Sequence, residues 1–279
     1  MTRTGTLIAS VATVVVALGA LAACRPPVPP GDDFAPRFAR TLSGPTNEDE
    51  FDGIASAPDG SVYVTGKFEQ RATLGGATLT SAGRADIPLA RLPKVDAVLL
   101  SHGHGDHLGD AIPIARRDGA TIVATAELAR FCGQRGATVH AMHIGGAHQF
   151  PFGRVKLVPA FHGGAVEGDA TGQFTTNPCG VVVTLDGKTV YHCGDTALTM
   201  EMQLLAGRVD VMLVPIGDNY TMGIEDAVRA VHLVEPRAVI PMHYNTWDVI
   251  KADPEQFKRQ VGDRARVIVL APGQTHILS

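Results

Sequence analysis

The chain has 279 residues, of which 45% are hydrophobic and 19% are charged. These values are typical of a globular protein and exclude an intrinsically disordered chain. The formal net charge of −4 at pH 7 indicates no basic surface, so we predict no nucleic-acid partner.

The four cysteines have no regular spacing that would indicate a disulfide framework. Cys24 belongs to a targeting signal, and we expect Cys132, Cys179 and Cys193 to be buried free thiols. A bridge between Cys179 and Cys193, which flank one predicted hairpin, is the alternative.

The first 23 residues are typical of a secretory signal. Arg3 precedes an apolar stretch from Leu7 to Ala23, and the sequence LAAC ending at Cys24 resembles the processing site of bacterial lipoproteins. We predict a lipoprotein signal peptide over 1–23 and attachment to the membrane surface of the bacterial cell envelope through lipidated Cys24. An uncleaved anchor is the alternative, although the stretch is short for crossing a bilayer.

Two further segments precede the main part of the chain. Residues 24–50 are rich in proline, which indicates an extended linker. Residues 51–92 contain short strand candidates separated by turn residues and resemble one unit of a bacterial β-propeller repeat. Because a single unit cannot bury its own apolar face, it must pack on another part of the chain or remain poorly ordered.

A dense group of potential metal ligands follows the apolar run Val95–Leu100. Residues 102–107 read HGHGDH, which places three imidazoles and one carboxylate within one short stretch. These are ligands that Zn²⁺ prefers, and the two glycines allow a tight loop to direct alternate side chains toward one point. One open tetrahedral site needs fewer ligands, so the spacing predicts two neighbouring metal ions.

Strands and helices alternate downstream of this loop, which predicts a layered α/β architecture over residues 93–279. Strands are expected over Thr121–Ala124, Val155–Phe161, Val181–Leu185, Thr189–His192, Val209–Pro215, Ala238–Pro241 and Val267–Leu270. Helices are expected over Leu108–Arg117, Ala126–Gln134, Ala197–Leu205, Ile224–Leu233 and Pro254–Val261.

Three further ligand candidates, His162, Asp195 and His243, each follow an apolar run in this region. Taken singly, either histidine could be an ordinary core or strand-end residue, and Asp195 could be a helix N-cap. Their occurrence together, downstream of the histidine-rich loop, favours the metal-binding interpretation.

The run LLSHGHGDHLGD at Leu99–Asp110, with the segments PAFH, YHCGDT, PIG and PMHYNT further on, resembles the metallo-β-lactamase superfamily. More narrowly, it is similar to uncharacterised metal-dependent hydrolases related to ascorbate-phosphate lactonases. The resemblance implies an αββα sandwich of two sheets with helices outside. It also implies a ligand set in which His102, His104 and His162 hold one metal, Asp106, His107 and His243 hold the second, and Asp195 bridges both.

The chain departs from that family before the histidine-rich loop. The relatives begin with strands that carry Gly-His-Ser and Ile-Asp-Pro elements, and this sequence has neither. We therefore expect the N-terminal strands of the first sheet to be missing or replaced. Either the propeller-like strands fill that place, or a gene fusion or a gene-model error has joined a lipoprotein start to a truncated hydrolase. If the junction is such an error, we expect the hydrolase to be cytoplasmic.

We predict a metal-dependent hydrolase that uses a dinuclear zinc-bound hydroxide to attack a carbonyl or phosphoryl centre of a small-molecule lactone, ester or phosphoester. Asp106, His192 and Asn245 are the candidate catalytic residues. His192 could orient the nearby ligand Asp195, and Asn245 could donate a hydrogen bond to an oxyanion. The alternative is a catalytically silent membrane-attached lipoprotein with a vestigial metal site, or a fusion of a truncated hydrolase.

Overall fold

The computed structural model describes residues 94–246 and 248–270 in full, together with the backbone of six short strands before them. Those strands are β1 (Gly5–Ser10), β2 (Thr13–Leu18), β3 (Gly53–Ser56), β4 (Val62–Thr65), β5 (Arg71–Leu74) and β6 (Ala77–Thr80). The predicted lipidation site Cys24, the proline-rich segment 24–50 and residues 81–93, which include the end of the propeller-like segment, lie outside the described residues.

The first large sheet has seven strands in the order β4-β3-β1-β2-β7-β8-β9. Its last three strands are β7 (Ala97–Leu100), β8 (Thr121–Thr125) and β9 (Thr138–Met142). β7 pairs in parallel with β8 and antiparallel with β2, while β3 joins the sheet through β1. The strands that precede β7 in this sheet come from residues 5–18 and 53–65, and β1 and β2 lie between the propeller-like strands, β3 and β4, and β7. β5 and β6 form a separate hairpin.

The second sheet also has seven strands, and they follow one another in sequence order. They are β10 (Ala147–Phe150), β11 (Gly153–Pro159), β12 (Cys179–Leu185), β13 (Lys188–His192), β14 (Val211–Pro215), β15 (Ala238–Met242) and β16 (Arg266–Val267). Pairing is antiparallel from β10 to β13 and parallel from β13 to β16. Consequently β11, β13 and β15 run in the same direction, and their carboxyl ends lie at one edge of the sheet.

The helices are short and lie outside the two sheets. They are α1 (Gly105–Leu108), α2 (Ala111–Asp118), α3 (Ala126–Gln134), α4 (Ile224–Val234) and α5 (Pro254–Val261), with 3-10 helices at Met200–Leu205, Asp248–Ile250 and Gly262–Arg264. At the start of α5, Asp253 accepts a hydrogen bond from the Glu255 amide, as an N-cap residue does. No helix among the described residues combines the length and hydropathy needed to cross a membrane.

Alternate side chains of β7 show how the layers are arranged. Ala97 and Leu99 join a large core that includes the apolar side chains of the second sheet. Val98 and Leu100 instead pack with a smaller core formed by α2 and α3. The large core also contains Val231 of α4 and Phe257 of α5. The layer order is therefore helices, sheet, sheet, helices, and the expected αββα sandwich is confirmed.

The structure differs from the predicted elements in four places. The strand expected over Val267–Leu270 is reduced to β16, Arg266–Val267, and residues 268–270 belong to no regular element. The helix expected over Leu108–Arg117 is divided into α1 and α2, because Gly109 has a φ of +36° and ends the first turn. Residues 197–205 form a 3-10 helix only from Met200, and β9 and β10 had no predicted counterpart. The expectation of free thiols at Cys132, Cys179 and Cys193 is confirmed, and all three are buried.

Candidate metal centre

All seven predicted ligands converge into two clusters at the edge where the ligand-bearing strands end. Within each cluster the potential ligand atoms lie within 4.8 Å of one another. The first cluster is His102, His104 and His162; the second is Asp106, His107, Asp195 and His243. Apart from Asp195, which was expected to serve both, this division is the one that the family resemblance implied.

The carboxylate of Asp195 lies between the two clusters. Its Oδ2 is 3.4 Å from Nε2 of His162 in the first cluster and 3.2 Å from Nε2 of His243 in the second. Its Oδ1 is 3.1 Å from Nε2 of His107. Asp106 lies on the other side of the second cluster, with Oδ2 3.6 Å from Nε2 of both His107 and His243.

These separations fit a metal-binding site. Nitrogen and oxygen ligands lie about 2.0–2.2 Å from a tetrahedral zinc ion, so two ligands of one ion are about 3.3–3.6 Å apart. Nε2 of His102 is 3.0 Å from Nδ1 of His104, and the histidine–carboxylate separations are 3.1–3.6 Å. The buried Oδ1 of Asp195 has no hydrogen bond of normal geometry from the described residues, which is expected of an atom placed to bind a cation.

The electrostatics of three groups, His102, His162 and Asp195, favour the protonation states that these groups need to bind a metal. Burial lowers the pKa of His102 well below its usual range, and the charge of His107 adds to this effect. Burial also lowers the pKa of His162, against the attraction of Asp195. Burial alone would raise the pKa of Asp195, but His107 and His243 outweigh it and hold that pKa well below the usual range. At neutral pH, His102 and His162 are therefore neutral and Asp195 is ionised.

Ser101 connects one histidine of each cluster. The serine is buried, and its hydroxyl oxygen lies 3.1 Å from Nδ1 of His102 and 3.0 Å from Nδ1 of His107. Such contacts fix the orientation of a ligand ring and the nitrogen that carries its proton. Sequence reasoning did not single out Ser101, since its position before the first histidine does not reveal which rings it meets.

Hydrogen bonds also hold the ligand-bearing loops together. The Phe161 amide, next to His162, donates to Oγ1 of Thr196 at 3.0 Å, and the Ala197 amide donates back to the Phe161 carbonyl at 3.1 Å. Thr196 follows Asp195 directly, so ligands from β11 and β13 are fixed relative to each other. In the sequence, Thr196 is only the last residue of the YHCGDT segment, and its partner in another loop could not be predicted.

Glycine allows another loop to approach closely. A β-carbon at Gly217, which follows β14, would lie 2.2 Å from the carbonyl oxygen of His243 and 2.9 Å from Cβ of Ile250. His243 itself has a φ of +55°, in the left-handed region that few residues other than glycine adopt. The absence of a side chain at Gly217 therefore makes room for the backbone that carries His243.

His192 and Asn245, the other predicted catalytic residues, make defined contacts near Asp195 and His243. Nδ1 of the buried His192 accepts a hydrogen bond from the Gly194 amide at 3.0 Å, and Gly194 has a φ of +65°. This contact favours the predicted orienting role, since Gly194 precedes Asp195. Oδ1 of Asn245 accepts a hydrogen bond from the Ala252 amide at 2.9 Å, so this oxygen closes the loop after His243. Donation to an oxyanion would fall to Nδ2.

Comparison with known proteins agrees with this geometry. Residues 72–244 match the family model described as a β-lactamase superfamily domain, so the match begins within the propeller-like segment. A UPF0173 metal-dependent hydrolase of Pelotomaculum thermopropionicum is 50% identical over 187 residues, which cover 65% of this chain and 82% of that protein. A relative of the same name from Bacillus cytotoxicus is 53% identical over 168 residues, covering 59% of this chain and 74% of that protein.

A solved structure is also similar to this chain, and it too is a metallo hydrolase. Igni18, described as a novel metallo hydrolase from Ignicoccus hospitalis, is 33% identical with a TM-score of 0.62, and the match covers 79% of this chain and 95% of Igni18. The family match covers more than half of the chain, and the chain covers most of each of these relatives. The chain therefore belongs to the β-lactamase superfamily, as a metal-dependent hydrolase similar to the UPF0173 proteins.

Proposed function

We propose that the two clusters bind two divalent metal ions, with Zn²⁺ as the best-fitting ion, and that the enzyme hydrolyses a carbonyl or phosphoryl centre of a small molecule. The position of Asp195 carries this proposal, because its carboxylate oxygens face histidines of both clusters. Neutral imidazoles and carboxylates are the donor set that zinc prefers. The seven residues would hold these ions, and the chemistry that the ions would supply is a water of lowered pKa and compensation of the charge that develops on the substrate.

The residues of the centre divide into a buried and an accessible side. His102, His107, Asp195 and His243 are at most 3% exposed. The side chains of Asp106 and His162 are 21% and 12% exposed, and His104 is also partly exposed. A substrate therefore approaches from the side of His104, Asp106 and His162, while the buried ligands hold the centre rigid and keep water from their far side.

The substitution Asp195→Ala tests the shared site. We expect bound metal to fall by at least half and hydrolysis to be abolished, because one change removes a ligand that both clusters contact. Elemental analysis and activity assays on ester and phosphoester panels measure the two effects. Asp263→Ala, which removes a carboxylate from an exposed residue of a 3-10 helix, is the matched control. Unchanged metal content in Asp195→Ala would contradict the shared site, and retained metal without turnover in the parent enzyme would favour a catalytically silent protein.

We further propose that the chain is held at the membrane surface through lipidated Cys24. The support is the sequence of the first 24 residues alone: a positive charge, an apolar stretch and small residues before the cysteine. The intact mass of the native chain tests the assignment, since processing would make lipidated Cys24 its first residue. A native chain that begins at Met1 without lipid would contradict it.

A further inference from the structure

Four of the five large exposed apolar side chains of the described residues lie in segments that begin at the edge of the second sheet where the metal centre lies. They are Phe161 (61% exposed), Met200 (67%), Tyr220 (54%) and Val249 (56%), and we refer to them as the apolar rim. The fifth, Leu204, lies at the far end of its 3-10 helix, towards Gly207 and the opposite edge of the sheet, and is not part of it. Single exposed apolar residues are normal on any protein surface. Their restriction to segments that follow β11, β13, β14 and β15 is different, because clustered apolar groups mark binding surfaces.

Backbone hydrogen bonds place three of these segments side by side. The Ala197 amide donates to the carbonyl of Phe161, and the Met222 amide donates to the carbonyl of Thr196 at 3.0 Å. The segment that follows Asp195 and continues to Met200 is thus bonded on one side to the segment of Phe161. On the other side it is bonded to the loop that carries Tyr220. Phe161 also directly precedes the accessible ligand His162, so this end of the apolar rim adjoins the open side of the centre.

The charge of these segments is unsuited to an anionic substrate. Residues 161–166, 196–205 and 216–223 contain no lysine or arginine, and they include the acidic residues Glu201 and Asp218. In the segment after His243, Lys251 lies 2.5 Å from the carboxylate of Asp248. Recognition of phosphate or carboxylate groups generally uses arginine or lysine side chains. A neutral substrate with an apolar part fits these segments better than a phosphoester.

We propose that the apolar rim binds the acyl chain of a neutral carboxylic ester or lactone whose carbonyl lies at the metal centre. This inference rests on the proposed hydrolase function and narrows its substrate class. In the reaction, the oxygen of water forms a bond to the carbonyl carbon and the acyl C–O bond breaks. The alcohol leaves with one proton, and the acid product releases the other at neutral pH. No further reactant is needed.

A series of p-nitrophenyl esters from acetate to octanoate, with bis(p-nitrophenyl) phosphate as the anionic alternative, tests the inference on the metal-loaded full chain. We expect kcat/KM to rise at least about tenfold from acetate to octanoate, since each buried CH₂ contributes up to roughly fourfold. Calorimetric titration with acetate and octanoate, the acid products, should show the same order of affinity without any turnover.

Met200→Ser and Tyr220→Ser should each lower the octanoate-to-acetate ratio of kcat/KM severalfold, with metal content measured in parallel. Gln203→Ser, which shortens an exposed polar side chain of the same 3-10 helix, is the control and should keep the ratio of the parent enzyme.

Three results would overturn the inference. A ratio near one, or faster turnover of the phosphodiester, would reject the substrate class while leaving the hydrolase function intact. A concentration-dependent dimer in sedimentation that Met200→Ser abolishes would assign the apolar rim to self-association. If no ester or phosphodiester is hydrolysed, the proposed function fails, and the calorimetric titration alone then decides whether the apolar rim binds an acyl chain.

Discussion

At the scale of single residues, the buried hydroxyl of Ser101 is the group that both clusters share besides Asp195. It contacts Nδ1 of His102 and Nδ1 of His107, while Nε2 of each ring faces its own cluster. A ring that binds a cation through Nε2 carries its proton on Nδ1 and donates it to a neighbouring acceptor. A hydroxyl oxygen has two lone pairs, so Ser101 can accept from both rings at once.

Ser101→Ala should therefore weaken metal binding at both clusters, by about 10- to 100-fold each, which is the usual cost of losing such a partner. Competition with a chelator, followed by elemental analysis, measures both affinities. Ser101→Thr keeps the hydroxyl and should stay close to the parent enzyme if the additional methyl group fits. Weakening at only one cluster would mean that the two rings do not share this acceptor.

At the scale of elements, the approach of the β14 and β15 ends depends on Gly217. Gly217→Ala would place a methyl group 2.2 Å from the His243 carbonyl oxygen, so the loop after β15 has to move. We expect the free energy of unfolding to fall by about 1–3 kcal/mol, as in other overpacked sites. Metal should be lost first from the cluster that contains His243.

Urea denaturation and metal analysis measure these two effects of Gly217→Ala. Gly133→Ala is the matched control. Gly133 lies in α3, and its new methyl group would meet only the side chain of Val139, at an ordinary contact distance of 3.4 Å. Alanine is favoured over glycine in a helix, so the control should be neutral or slightly stabilised. Equal stability and full metal content in Gly217→Ala would show that the loop after β15 is more adaptable than its packing indicates.

The elements that could be predicted from the sequence are those with a buried apolar face. β8, α3, α4 and α5 lie within a residue of their predicted bounds, because each buries apolar side chains at the spacing of its element. β9 and β10 could not be predicted, since most of their residues are exposed or only partly buried and show no alternation. Their pairing comes from neighbouring strands rather than from their own sequence.

The candidate site could also be predicted only in part: its potential ligands could, and the residues that support them could not. The ligands His102 to His107 stand close together in the chain, and His162, Asp195 and His243 each follow an apolar run, so residue types and spacing were sufficient. Ser101, Thr196 and Gly217 act through contacts with loops far away in sequence. Such contacts depend on which loops meet at the edge of the sheets, and no local sequence pattern specifies this.

At the scale of the whole molecule, the metal centre draws ligands from both sheets. Four ligands follow β7 of the first sheet, and three follow strands of the second. The Cys179 amide donates to the Ser101 carbonyl at 3.0 Å, and the Glu167 amide donates to the Gly103 carbonyl at 2.8 Å. These bonds fasten the histidine-rich loop to the second sheet without any residue before position 94.

The place of residues 5–18 in the first sheet and their proposed removal as a signal peptide exclude each other. In the structure, β1 and β2 take their places in the first sheet, with β2 paired to β7. If the chain is processed before Cys24, both strands are removed and β7 loses that partner. Because the histidine-rich loop is bonded to the second sheet, we expect the metal centre to survive this loss.

Elemental analysis of a chain that starts at position 24, with Cys24→Ser to avoid oxidation, tests this expectation against the full chain. We expect close to two metal ions per chain in both proteins, with a lower melting temperature for the shorter one, because β7 then has an open edge. If only the full chain binds two ions, β2 is needed to hold β7 and the loop that follows it. The lipoprotein proposal would then be in conflict with the hydrolase function, since processing would remove a strand on which the metal centre depends.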